Sequence, residues 1–105
     1  MANKRKRTCW ELCIEWELHG ERDYIVELFS SLRKAQEKLS EELANDLINN
    51  GERFETFEYE DENYETKPLP YSAINGDVLN TKYVNLYSVN GSDFITYMIR
   101  KQVIQ

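Results

Sequence analysis

From Cys9 to Leu18 the chain alternates without a break. Trp10, Leu12, Ile14, Trp16 and Leu18 fall on one side, and Cys9, Glu11, Cys13, Glu15 and Glu17 on the other. Successive side chains of a strand point to opposite faces, so this sorting specifies a half-buried strand with one apolar face. Helical spacing would gather Trp10, Leu12 and Ile14 on no common stripe, which outweighs the helix propensity of Glu and Leu. Such a strand needs neighbours beside it and a layer over it, and the rest of the chain supplies both.

The polar stretch His19-Gly20-Glu21-Arg22-Asp23 contains the glycine that a hairpin connection needs, and Tyr24 to Phe29 is rich in aromatic and β-branched residues. The two runs are expected to pair antiparallel. Ser30 and Ser31 offer N-cap hydroxyls, after which Leu32, Ala35, Leu39, Leu43 and Leu47 recur at three- and four-residue steps up to Asn49-Asn50-Gly51. This is an amphipathic helix of about five turns. Its apolar stripe is expected to cover the Trp10/Ile14/Trp16 face.

Phe54 to Tyr59 reads as a strand inside the acidic segment 52–65, and the remainder of that segment as a solvated turn. Pro68 and Pro70 disfavour helix and central strand alike, so 66–77 reads as an irregular connection. Val78 to Val89 and Phe94 to Ile104 flank Asn90-Gly91, the strongest short-range hairpin signal. With a two-residue turn there, Tyr87 falls opposite Phe94, Leu86 opposite Ile95, Val84 opposite Tyr97 and Tyr83 opposite Met98. Val84, Leu86, Ile95, Tyr97 and Ile99 then share one face, and Tyr83, Tyr87, Phe94 and Met98 the other. The expected fold is α+β, an antiparallel sheet of four to five strands in the order β-β-α-β-β-β, with one amphipathic helix packed on one face.

Charge is unevenly spread. The formal net charge is −6, yet Lys4, Arg5, Lys6 and Arg7 sit together, and without them nine basic residues face nineteen acidic ones, a body of −10. The expected organisation is a basic flexible tail over residues 1–7 and a single domain over 8–105. A body this acidic repels phosphate backbones and anionic membrane surfaces and attracts basic proteins. Neither a membrane span nor an apolar signal run is visible, so a cytoplasmic protein is expected. Cys9 and Cys13 on one strand lie ~13 Å apart, beyond bridging distance, and read as free thiols.

The sequence holds no phosphate-binding loop, no GxSxG elbow and no paired metal-ligand spacing. The single histidine, His19, lies beside a turn with only Glu17 and Glu21 near it, the ordinary setting of a solvated side chain. Cys9, Cys13 and His19 lack the fourth ligand and tight spacing of a structural zinc site. No cofactor is expected, and a non-catalytic protein is favoured over a small enzyme.

Two contact surfaces stand out. The acidic segment carries Glu55, Glu58, Glu60, Asp61 and Glu62 interleaved with Tyr59 and Tyr64. These residues either form an ordinary soluble strand face or anchor and steer a basic protein partner. The second surface is the Tyr83/Tyr87/Phe94/Met98 face of the last hairpin, which one helix cannot cover if it already covers the aliphatic side. Either the 64–71 segment, with Tyr64, Leu69 and Tyr71, lies over it, or a partner or second subunit does.

In small size, acidic body, aromatic-rich β content and absence of catalytic motifs, the chain resembles many small proteins encoded by phages and other mobile elements, anti-CRISPR and related anti-defence proteins among them. The resemblance spans the whole chain in general character and transfers no site. It implies a stoichiometric inhibitor whose target is a host nuclease or another nucleic-acid-handling protein. A homodimeric adaptor is the alternative.

Overall fold

In the computed structural model, which describes residues 7–90 and 92–104, the alternating segment is strand β1 (Arg7–Leu18). Leu12 and Ile14 are buried on one side while Glu11, Cys13 and Glu15 stay partly open on the other. β1 pairs antiparallel with β2 (Glu21–Phe29). His19 and Gly20 hold φ at 55° and 80°, a left-handed pair that matches strand twist and closes the hairpin in two residues. β2 therefore starts at Glu21 and not at Tyr24, because polar Glu21, Arg22 and Asp23 fit an edge strand. Arg7, assigned to the tail on charge, pairs with Ile104 and belongs to β1.

Helix α1 (Leu32–Asn50) starts as expected, with the Ser31 hydroxyl accepting from the Lys34 amide at 3.2 Å. Such a cap contributes about 1 kcal/mol. Ala35, Leu39 and Leu43 are fully buried, and Leu32 and Leu47 flank them. Two polar residues share the buried stripe: Ser40 Oγ accepts from the Leu79 amide at 2.9 Å, and Gln36 Nε2 donates to the Thr81 carbonyl at 3.2 Å. These bonds hold Leu79 and Thr81 against the helix, and the first bond to the last strand comes from the Lys82 carbonyl, which accepts from the Ile99 amide at 2.8 Å. The long strand expected from Val78 to Val89 is consequently shortened to β5 (Tyr83–Tyr87).

Strand β3 (Thr56–Glu60) lies within the acidic segment, and beside it the chain makes a strand that the prolines argued against, β4 (Thr66–Pro68). Pro68 is tolerated because β4 is an edge, where a missing amide leaves no neighbour unsatisfied. The link between them turns on Asp61, whose Oδ1 accepts from the Asn63 and Glu65 amides, each at 2.9 Å. Lys67 Nζ reaches its Oδ2 at 2.8 Å, and these donors hold the Asp61 carboxyl below its usual range. A short 3-10 turn over Tyr71–Asn75 then returns the chain to the helix layer.

β5 pairs with β6 (Phe94–Ile104) in the expected register: Tyr83 opposite Met98, Val84 opposite Tyr97, Leu86 opposite Ile95 and Tyr87 opposite Phe94. The Ser88 hydroxyl closes the tip, donating to Asn90 Oδ1 at 2.9 Å and accepting from the Asp93 amide at 3.1 Å; Gly91 lies outside the described residues. Among the described residues the sheet has six antiparallel strands, not four to five, in the order β2-β1-β6-β5-β3-β4. Leu12, Ile14, Val84, Leu86, Ile95, Tyr97 and Ile99 meet Ala35, Leu39 and Leu43 in one core. Full burial of such an aliphatic side chain contributes roughly 1.5–3 kcal/mol. No helix among the described residues is long and apolar enough to cross a membrane.

Candidate functional site

All the helical turns and the 69–82 connection share the α1 side, where Leu69, Ala73 and Leu79 join the core. Among the described residues nothing covers the opposite face. Tyr64 and Tyr71, candidates for internal cover, are 77% and 83% exposed, and Leu69 packs on the helix side. The pleat decides what the bare face displays. β5 and β6 contribute Tyr83, Asn85, Tyr87, Phe94, Thr96 and Met98, since Val84, Leu86, Ile95 and Tyr97 point into the core. Pairing of Thr56 with Tyr87 and of Glu58 with Asn85 puts Glu58 and Glu60 on the same face, beside the tyrosines.

The structure thus merges part of the two expected surfaces into one. Glu58, Tyr83, Tyr87 and Phe94 line a shallow groove of about 460 Å³ on it. Tyr59 points the other way, opposite Val84, and packs against the core, which accounts for its aromatic character without a partner. Glu55 is exposed just ahead of β3, its amide donating to the Tyr87 carbonyl at 3.2 Å. Asp61 is occupied in the β3–β4 turn, while Glu62 and Tyr64 project from that turn to solvent. Tyr64 does so from a positive φ of 61°.

Thr81 fixes the end of the groove. Its hydroxyl donates to the Glu60 carbonyl at 2.6 Å and accepts from the Tyr83 amide at 3.2 Å, so one buried side chain holds the end of β3 to the start of β5.

Three further acids join the face from β1. Because β1 lies next to β6, with Cys13 opposite Met98 and Glu17 opposite Phe94, Glu11, Glu15 and Glu17 stand beside the aromatic row. The alternation had already put them on the polar side of β1; what that pattern lacked was the neighbour. Arg22 of β2 offsets one of them, bonding Glu15 at 2.6 Å while its guanidinium lies 5.7 Å from the Phe94 ring centre. Gln102 Nε2 donates to Glu11 at 2.6 Å, and Arg100 Nε approaches the Met98 sulfur at 3.0 Å. Between these strands Cys13 sits in a second hollow of about 230 Å³ with Glu11, Glu15 and Met98. Partial burial, then the two glutamates, push its thiol above the ordinary range, which disfavours a reactive thiolate.

The face is therefore a pleated array of carboxylates around half-buried aromatic and thioether side chains. Its chemistry suits contact with cations and apolar groups together. His19 is exposed at the β1–β2 turn, its Nδ1 3.2 Å from an Arg53 guanidinium nitrogen. Among the described residues no group of three or more His, Cys, Asp or Glu is placed to hold a metal ion. No protein-family model matches the chain, and comparisons with curated proteins and with solved structures give no match either.

Proposed function

We propose that this protein is a non-catalytic binding module that applies the bare face of its sheet to a basic surface of a protein partner. The observation that carries this reading is the adjacency of Glu58 and Glu60 to the Tyr83/Tyr87/Phe94 row on a face that no described element covers. Tyrosine and phenylalanine supply contact area at low entropic cost, and surrounding carboxylates steer a cationic partner and fix its orientation. A surface built to grip phosphates presents clustered Lys and Arg, which such a face would occupy in place of nucleic acid. The reading extends to stoichiometric inhibition of a nucleic-acid-handling host protein, of the anti-defence kind that the chain's general character resembles. Two copies laid face to face would set these carboxylates against each other, which argues against the face as a homodimer surface.

The test compares the wild-type protein with a Glu58→Lys/Glu60→Lys/Tyr87→Ala variant in capture from source cells at low and moderate salt. Captured partners are then titrated calorimetrically with and without nucleic acid. Salt-sensitive, one-to-one binding that competes with nucleic acid and fails in the variant is expected. Equal capture by both proteins, or a partner that binds nucleic acid undisturbed, would refute the reading.

A further inference from the structure

The two edges of the sheet are built differently. β4 is three residues long and carries Lys67 and Pro68, features that keep an edge from recruiting another strand. β2 is nine residues long, contains no proline and pairs with β1 in unbroken register. Tyr24, Ile25, Val26 and Leu28 are 63%, 47%, 48% and 58% exposed.

Half of its backbone groups also bond no strand among the described residues. The two-residue turn makes Leu18 and Glu21 a hydrogen-bonded pair, and such pairs alternate along an antiparallel ladder. Odd-numbered residues of β2 thus direct their backbone groups to β1, and Arg22, Tyr24, Val26 and Leu28 direct theirs outward. Tyr24 bears this out: its amide donates to the neighbouring Asp23 carboxylate at 2.8 Å and to no strand.

We propose that β2 is a self-association edge, pairing antiparallel with β2 of a second copy about a two-fold axis that is perpendicular to the sheet and passes midway between the two Val26 residues. The strand's own charges select both the occupant and the register. A two-fold antiparallel pairing must centre on one residue, and only a few centres pair more than half of the strand. Centring on Ile25 sets Asp23 against Glu27, and centring on Tyr24 sets Glu21 against Glu27. Centring on Asp23 or Glu27 sets that carboxylate against itself. Like charges directly opposite destabilise a ladder.

The Val26 centre avoids all of these. Val26 meets Val26 and Tyr24 meets Leu28 on the bare face; Ile25 meets Glu27 and Asp23 meets Phe29 on the helix face. Just beyond the ladder, Glu21 of each copy reaches the Ser31 corner of the other. There the first turn of α1 carries Arg33 and Lys34 and no acidic residue. A carboxylate is favourable at that positive helix end. The axis keeps both bare faces on one side of a continuous sheet, so this interface is separate from the surface proposed for the partner.

Sedimentation velocity over a concentration series tests the proposal, the expected mass being twice that of one chain. Val26→Lys sets two ammonium groups across the axis and is expected to weaken the dimer roughly a hundredfold or more, whereas β-branched Val26→Thr is expected to retain it. A cross-link reads the register. With Cys9 and Cys13 replaced by serine, Val26→Cys is expected to form an interchain disulfide on oxidation, since directly opposed residues lie ~5.5 Å apart. Tyr24→Cys is expected to form none, its two copies lying more than ~13 Å apart. A monomer at every concentration overturns the proposal. So does a dimer that tolerates Val26→Lys, or one that cross-links through Tyr24→Cys and not through Val26→Cys.

Discussion

The Tyr97 hydroxyl donates a hydrogen bond to the Asp46 carboxylate, joining a central strand of the sheet to the last turns of α1. Both groups are displaced by burial: the Tyr97 phenol lies far above its ordinary range, and the Asp46 carboxyl lies above the usual 3.8. Glu42, one helical turn earlier, adds to the rise in Asp46, and the bond from Tyr97 opposes it. A carboxyl raised in the folded state holds its proton more tightly there than in the unfolded chain. Its contribution favours folding at and below the unfolded value and is lost as pH climbs through the folded value. Asp46→Asn is expected to remove this slope, so the difference in melting temperature between variant and wild type should grow with pH just above 3.8 and then level off. Asp46→Ala leaves the phenol without its acceptor and is expected to cost about 1–3 kcal/mol in urea unfolding at neutral pH. A pH-independent difference for Asp46→Asn would contradict the assignment.

Tyr87 stands on the bare face between Glu58 and Phe94. Tyr87→Ala is expected to weaken partner association by about 2 kcal/mol or more while the isolated domain keeps its cooperative unfolding. Calorimetric titration and thermal unfolding separate the two effects. Loss of several kcal/mol of folding stability without a separable effect on binding would place Tyr87 in the core's support.

Glu58 and Glu60 share the face, whereas Glu62 projects from the β3–β4 turn. Stopped-flow association is expected to slow, and its salt dependence to flatten, for Glu58→Lys/Glu60→Lys. Glu62→Lys is expected to change the rate much less. If Glu62→Lys slows association equally, net charge and not the face governs the encounter.

Thr81 bonds both the Glu60 carbonyl and the Tyr83 amide from a buried position. Thr81→Val keeps the shape and leaves both groups without that partner, and is expected to cost about 1–3 kcal/mol of stability. Amide exchange at Tyr83 is expected to rise more than exchange at Leu86, which lies inside the ladder. Unchanged exchange at Tyr83 would show that the bond is not what holds the groove's end.

Much of the face was legible locally. Period-two alternation assigned Trp10 to Leu18 to the core or the open side, while Cys9, read onto the polar side, is buried. The Asn90-Gly91 signal set the register that places Tyr83, Tyr87, Phe94 and Met98 together, because a short turn leaves a hairpin few ways to pair. Pro68 misled, since a proline forbids a central strand but not an edge one, whereas Pro70 lies past β4 in the irregular connection expected there. The run from Val78 misled as well: Ser40 and Gln36 of α1 claim its backbone, and nothing in residues 78–82 announces acceptors and donors some forty positions away.

What the sequence determined by itself was therefore whatever depends on near neighbours: strand alternation, the helical stripe and its Ser31 cap, the hairpin register, and the acidity of the body. The tertiary structure alone decided the order β2-β1-β6-β5-β3-β4. That order sets Glu11, Glu15 and Glu17 beside Phe94 and Met98, brings Glu58 and Glu60 to the tyrosines, turns Tyr59 inward, and leaves β2 as the open edge. The physical reason lies in the ladder, whose bonds are made by backbone groups common to all residues except proline. Which strand lies beside which is settled by closing one core under one helix, a condition on the whole chain that no local pattern carries.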